Sequence, residues 1–359
     1  HLTEARHYES LAAAAFARIP QDKDVEAELS NNAGLLALAV SDFPRAYQEL
    51  QNAARLQAEV LSPDHPEVVR TLNNLATALA RQGKDAEALE LYQKTYALHL
   101  AKLGPDHPDT ASSLHNLAVM YRRQGRLPEA LDAFQKSLAI RERTLGKSHP
   151  ETANSYVAMA GLELKLEQPD AALKHLEQAL AIRKATYGEQ HSQVAAVYDD
   201  LAQLQLSLRN GAEALAMARK ALELDQQALG PAELATAAAW NKVGRAHAML
   251  GQWKEAQGAL QRSLDLRLAK LGPRHAEVAW AQNELGELYL AQRKAELALG
   301  WFDKALETRT AAQGPEHPSL AWDLLGRGRA RLMLKTPTAA ADDFARAVAL
   351  REKGPDAAE

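Results

Sequence analysis

Leu61-Ser-Pro-Asp-His65-Pro66 returns as Leu103-Gly-Pro-Asp-His107-Pro108, then as Leu145-Gly-Lys-Ser-His149-Pro150 and Tyr187-Gly-Glu-Gln-His191. It comes back as Leu271-Gly-Pro-Arg-His275 and Gln313-Gly-Pro-Glu-His317-Pro318. Between these, Leu229-Gly230-Pro231 keeps the frame, with Glu233 where the histidine would stand. Every step is 42 residues. A fixed period of this length is the signature of a solenoid, whose units bury their apolar faces only against their neighbours. The repeat therefore overrides the two or three globular domains that a chain of 359 residues would otherwise suggest.

One unit reads as two helices. In 107–148, Pro108 suits a first helical turn, where its missing N–H costs nothing. Leu114, Leu117, Ala118 and Tyr121 follow at helical spacing, and Gly125 breaks the run. A second helix starts near Pro128 and carries Ala130, Leu131, Phe134, Leu138, Ala139 and Ile140; Leu145-Gly146 ends it. No stretch alternates as a strand does, which excludes a four-stranded propeller repeat of similar length. Small residues recur at one site (Ala76, Ala118, Ala160, Ala202, Gly244, Gly286) and let the two helices approach, while Tyr92 and Phe134 fill the space between repeats.

The period alone also suits HEAT or armadillo helices. The internal pattern decides: Asn116-Leu117-Ala118-x-x-Tyr121, Gly125, then Ala130-x-x-x-Phe134-x-x-Ser137. Asn74-Leu75-Ala76-x-x-Leu79 with Ala88-x-x-x-Tyr92, and Leu285-Gly286-x-x-Tyr289 with Ala298-x-x-x-Phe302, repeat it. This pattern resembles the tetratricopeptide (TPR) signature. The 42-residue unit with its Gly-Pro-x-His-Pro loops is similar to the variant found in kinesin light chains and their bacterial relatives, and the alanine-rich sequence is more similar to the bacterial ones. The resemblance covers residues 23–351. It implies an all-α TPR solenoid, a right-handed superhelix whose first helices line a concave groove. Eight units are expected: 23–64, 65–106, 107–148, 149–190, 191–232, 233–274, 275–316 and 317–354. A half-repeat capping helix is expected over 1–22, and a polar tail over 355–359.

Composition removes several classes of function. Net charge is -4 and the pI about 6.3, against the basic excess of a nucleic-acid binder. With no cysteine, disulfide scaffolds, cysteine-liganded zinc and thiol catalysis are excluded. No apolar run is long enough for membrane insertion. A cytoplasmic location is expected, and a start at His1 suggests a trimmed or processed chain. The loop histidines His65, His107, His149, His191, His275 and His317 sit one per repeat, so they cannot converge on one metal ion; they read as helix-start residues. Glu4-x-x-His7 has di-iron spacing but stands alone and reads as a solvated helix face. Phosphate-binding, dinucleotide, zinc-protease and serine-hydrolase motifs are all missing. No cofactor and no enzymatic activity are expected.

The residues that vary within the fixed frame carry function. By the TPR pattern, the groove-facing positions are Arg70, Asn73, Thr77, Ala80 and Arg81 in unit two, and Ser112, His115, Val119, Arg122 and Arg123 in unit three. Unit four adds Asn154, Val157, Gly161, Leu164 and Lys165. Arg70, Arg81, Arg122, Arg123 and Lys165 make this half basic, with no acid at these positions. Asp199 changes the character of unit five; Asn241 and Arg245 follow in unit six. Units seven and eight supply Trp280, Asn283, Glu287, Trp322, Leu325 and Arg329. Arg122 and Arg123 would hold an acidic segment by bidentate bonds, and the tryptophan pair would hold an apolar anchor. Asn74 and Asn116 lie beside the repeat core and suit either backbone bonding or ligand contact. Glu163, Gln205 and His247 stand where Tyr121 and Tyr289 stand elsewhere; a slightly rotated helix using Leu162/Leu164 and Leu204/Leu206 accounts for them better than a polar seam.

Two departures limit the resemblance. Leu35 and Ser112 occupy positions that the carboxylate clamp of chaperone-binding TPR domains needs, and the heptad segment of kinesin light chains is absent. The expected role is a non-catalytic scaffold or adaptor for a protein or peptide, with a peptide-sensing regulatory domain of a larger protein as the alternative. An enzyme or accessory domain is a third.

Overall fold

The computed structural model describes residues 22–40 and 42–352. The capping helix expected over 1–22, the Glu4/His7 pair and the tail over 355–359 lie outside them, apart from Asp22. The described residues form sixteen helices, taken here as eight pairs. The pairs are α1 (Lys23–Ala39) with α2 (Phe43–Val60), α3 (Pro66–Arg81) with α4 (Asp85–Leu103), α5 (Pro108–Arg123) with α6 (Leu127–Thr144), and α7 (Pro150–Lys165) with α8 (Pro169–Tyr187). Then come α9 (Ser192–Ser207) with α10 (Gly211–Ala228), α11 (Leu234–Met249) with α12 (Trp253–Leu271), α13 (Ala276–Ala291) with α14 (Ala295–Gln313), and α15 (Leu320–Met333) with α16 (Pro337–Glu352). No strand occurs among the described residues. The chain divides into two compact units, residues 1–158 and 159–359.

The repeated His-Pro motif starts the leading helices by a capping bond. His65, His107, His149, His191 and His275 each accept, through Nδ1, the backbone N–H two residues further on, at 3.1–3.4 Å; His317 accepts that of Ser319 at 3.2 Å in the turn before α15. This satisfies one of the donors that a helix N-terminus leaves without an intrahelical partner. Glu233, in the same place, makes no such bond. The loop before the cap is pinned by Thr110, Thr152 and Thr236, whose hydroxyls donate to the carbonyls of Gly104, Gly146 and Gly230 at 2.8–2.9 Å. Gly104 has φ of +84°, a conformation that a side chain would strain.

Packing within a pair follows a small-against-large rule. Ala76, Ala118, Ala160 and Ala202 are buried. A Cβ on Gly286 would lie 2.7 Å from the Phe302 ring, and one on Gly244 2.7 Å from Leu260. Glycine is needed at these two positions because the following helix places a large side chain there. Tyr92 joins Leu79 of its own repeat to Leu117 and Met120 of the next, and Phe302 packs with Tyr289 and with Ala330 of the next repeat. Burial of Phe302 contributes about 2–3 kcal/mol.

A second column on the following helices ties several repeats to their successors, through His99, Arg141, Arg183, Arg267 and Arg309. It reads Gln57, His99, Arg141, Arg183, Asp225, Arg267, Arg309 and Arg351, spaced by 42 residues. Arg141 donates to Glu151 O at 3.3 Å and to Ser155 Oγ at 2.7 Å. Arg183 donates to Gln193 O at 2.9 Å, and Arg309 holds Asp323 at 2.6 Å. Each guanidinium thus leaves one repeat's second helix and ends on the next repeat's first.

The caps predict opposite effects at two equivalent positions. His107→Ala should lower stability by about 1 kcal/mol, and Glu233→Ser should raise it by a similar amount. Urea unfolding of the two variants checks both.

Candidate functional site

Leading helices touch the leading helix of the next repeat: α1 meets α3 in the first unit, and α9 meets α11, α11 meets α13 and α13 meets α15 in the second. No comparable contact joins successive following helices among the described residues. Within each unit the leading helices therefore stand on the inner side, and they carry the sequence-selected positions.

In the first unit, asparagines link consecutive leading helices. Asn74 Nδ2 donates to Asn31 Oδ1 at 3.2 Å, and Asn116 Nδ2 to Asn73 Oδ1 at 2.8 Å. Thr71 adds a bond to the same Asn31 oxygen at 3.3 Å. These bonds run side chain to side chain across repeats. Asn73, Asn74 and Asn116 are thus engaged in joining repeats, where the sequence pointed to ligand or backbone. Arg123 is also committed: Nη2 lies 2.8 Å from Asp85 and Nη1 donates to Ala80 O at 3.0 Å. Arg70 pairs with Glu67 at 3.3 Å, and exposed Asn154 donates to Glu151 at 3.4 Å.

Two arginines of this unit stay uncompensated. Arg81 is exposed and Arg122 half-buried, and neither has an acid or hydrogen-bond partner among the described residues. Burial lowers the pKa of the Arg122 guanidinium below its ordinary value. His115 lies one helical face along, edge-on to Phe134 with ring centroids 5.3 Å apart, and its Nδ1 is buried without a partner. Burial, reinforced by the positive charges of Arg141 and Arg122, pushes its pKa down to about 3, so the imidazole is neutral at pH 7.

The second unit is richer in paired charge. Lys242 holds Asp199 at 2.7 Å, joining α11 to α9. Arg245 donates to Gln203 at 3.2 Å and lies 3.8 Å from Glu284, so it spans three leading helices. Asn241 is 1% exposed and both its side-chain polar atoms lack partners. It is therefore closed off from solvent and does not face an open groove. Asn283 donates to Asp323 at 2.8 Å, beside the Arg309 clamp. Lys165 is exposed and has no partner among the described residues.

Trp280 and Trp322 come from consecutive repeats and line one cleft of about 710 Å³, with Leu325 and Phe344. Trp322 is 63% exposed. The Arg351 guanidinium lies 4.6 Å from its ring centroid, and Arg267 lies 5.0 Å from that of Trp280. Arg329, at the rim, is bonded to Glu287.

The polar seam discounted from the sequence is present. Glu163 and His247 are buried: Glu163 bonds His175 at 2.8 Å, and His247 bonds Gln252. Gln205 accepts from Asn210 at 2.8 Å. Each finds its partner on or just before the following helix of its own repeat, and Leu162, Leu204 and Leu206 beside them are buried. Among the described residues, no group of three or more His, Asp or Glu could hold a metal ion, and no helix is long and apolar enough to cross a membrane.

A family model for the tetratricopeptide repeat matches residues 25–101, 81–143, 109–185, 151–227, 193–269, 235–307 and 277–353. The chain belongs to the tetratricopeptide repeat family. No curated protein matches it in sequence. Among solved structures, it is similar to a Podosopora anserina kinesin light chain with nearly identical TPR-like repeats, at 26% identity and a TM-score of 0.50, over 57% of this chain and 97% of that one. The apo form of the quorum sensor NprR from B. thuringiensis shares the fold at 14% identity and a TM-score of 0.71, over 96% and 92%. A Rap protein complexed with Competence and Sporulation Factor shares it at 16% identity and a TM-score of 0.68, over 98% and 93%.

Where the arginine column carries Asp225, an acidic cluster results. Burial, then the negative charge of Asp199, raises Asp225 and Asp200 each to about 6, against the opposing charge of Lys242 and, for Asp200, of Arg183. A carboxyl raised above its unfolded value binds its proton more tightly in the folded chain. Its stabilising effect on protonation therefore grows as pH falls through about 6 and is complete below the unfolded value near 3.8. Asp225→Asn should remove that share: its urea midpoint should change less than the parent's between pH 7.5 and pH 5.

Proposed function

We propose that the chain is a non-catalytic scaffold or adaptor that holds a segment of a partner protein against its leading helices. The observation that carries this reading is Arg122. In a protein whose inner-wall charges are otherwise mostly paired, it is a half-buried guanidinium with no acid of its own. A partner carboxylate would supply the missing charge by a bidentate bond, with Arg81 as a second, exposed cation. In the second unit, the open Trp322 ring and Trp280 offer an apolar side chain a cleft with two aromatic walls. Neutral His115 fits this picture, since it adds no positive charge beside Arg122. Protein or peptide is the partner class; the acid pairing and the tryptophan anchor are the finer parts of the proposal. A peptide-sensing regulatory role is the second reading. Its support is that structures named as a quorum sensor and as a Rap protein with Competence and Sporulation Factor share the fold.

The arginines separate binding from folding. Arg122→Glu should weaken acidic peptides in an anisotropy panel of acidic, basic and apolar sequences by about tenfold or more, with melting nearly unchanged. Arg123→Glu should instead lower the melting temperature, because it breaks the bonds to Asp85 and Ala80. Acidic peptides bound equally by the parent and by Arg122→Glu would contradict the proposal.

A further inference from the structure

The arginine column shows which chemical group fits the space between one repeat's second helix and the next repeat's first. At Arg141, Arg183, Arg267 and Arg309 that group is a guanidinium of the chain itself, Arg267 reaching the next repeat through Glu277 while its other bonds stay within its own repeat. Two of the four also face a carboxylate at the second residue of the next leading helix: Arg141 lies 3.4 Å from Glu151, and Arg267 lies 3.4 Å from Glu277. Between repeats two and three, the column holds His99. Its ring is shorter than an arginine and reaches only Ser113 Oγ, at 2.7 Å through Nδ1. The carboxylate is nevertheless in place, because Asp109 stands 42 residues before Glu151. The His107 nitrogen 3.7 Å from it already accepts the Asp109 backbone N–H in capping α5.

His99, Ser113 and Asp109 open into one cavity of about 700 Å³ with an apolar floor of Val69, Leu98 and Leu103. The other charges at the cavity are already matched, Lys102 with Asp64 at 2.6 Å and Arg70 with Glu67 at 3.3 Å. That leaves Asp109 as the carboxylate in excess. Burial lowers the pKa of His99, so the imidazole brings no opposing charge at neutral pH.

We propose that this cavity is a binding site for a guanidinium, the side chain of an arginine on a bound peptide, which takes the place that the chain fills for itself in repeats three, four, six and seven. Asp109 supplies the counter-charge, and the apolar floor receives the methylene stem. The site is separate from Arg122 and selects a residue of opposite sign, so a segment carrying both acid and arginine would satisfy the two.

The test uses the full chain and two probes, doubly blocked arginine (N-acetyl, N-methylamide) and the citrulline compound of the same shape without the charge. Titration is followed by the His99 ring resonance. Blocked arginine should shift that resonance saturably, and the citrulline probe should not. Asp109→Asn should weaken the arginine probe about tenfold or more, as loss of a charge-assisted bond implies. His99→Arg should abolish binding and raise the melting temperature, since the chain's own guanidinium then occupies the site. Arg122→Glu should leave the arginine probe unaffected, which separates this site from the proposed acidic-segment site. Equal binding of citrulline, unchanged affinity in Asp109→Asn, or no movement of the His99 resonance up to the solubility limit would each overturn the proposal.

Discussion

The structure depends on a buried guanidinium that crosses from one repeat into the next. Solenoid units do not contact distant parts of the chain, so stability is a sum of terms within repeats and terms between neighbours. The apolar terms are interchangeable: Leu, Phe, Tyr and even Ala serve in one column, from Leu50 through Ala218 to Phe344. The arginine is directional. It must find the backbone or side-chain oxygens of a particular turn in the next leading helix, and so it fixes the register in which repeats stack. A charge taken out of water is costly unless its hydrogen bonds are met, which penalises any slipped alignment.

The same frame explains where function can reside. Positions that build the joint are saturated: the asparagines of the leading helices bond each other, and Arg123 and Arg245 brace neighbouring repeats. What remains is a small set of side chains that the frame does not use, chiefly Arg122, Trp322 and the Asp109 carboxylate. The ladder itself departs from arginine at Gln57, His99 and Asp225, and the last two go with a cavity in one unit and a cluster of acids in the other.

Much of this was legible in the sequence. The His-Pro caps, the glycine after most second helices and the small residue opposite a large one are local rules, and each repeats often enough to be read without coordinates. The arginine column was equally periodic, but it lies on the second helices, away from the expected groove. The state of Arg123 was not legible, because its partner Asp85 belongs to the preceding repeat and only the stacking brings them together. Asn241 looked like a groove residue from its place in the repeat, but its neighbours bury it. The partners of Glu163 and His247 were not legible either: a polar residue on an apolar face is tolerated once a partner on the paired helix, such as His175, or in the turn before it, such as Gln252, reaches it.

The claim that directional polar joints fix the stacking is tested most directly by a double-mutant cycle on Arg309 and Asp323, followed by urea unfolding. Because each partner is buried and held mainly by the other, Arg309→Ala and Asp323→Ala should each cost about 3–5 kcal/mol. The double variant should cost little more than the worse single one, giving a coupling of a few kcal/mol. Additive losses with no coupling would contradict the account.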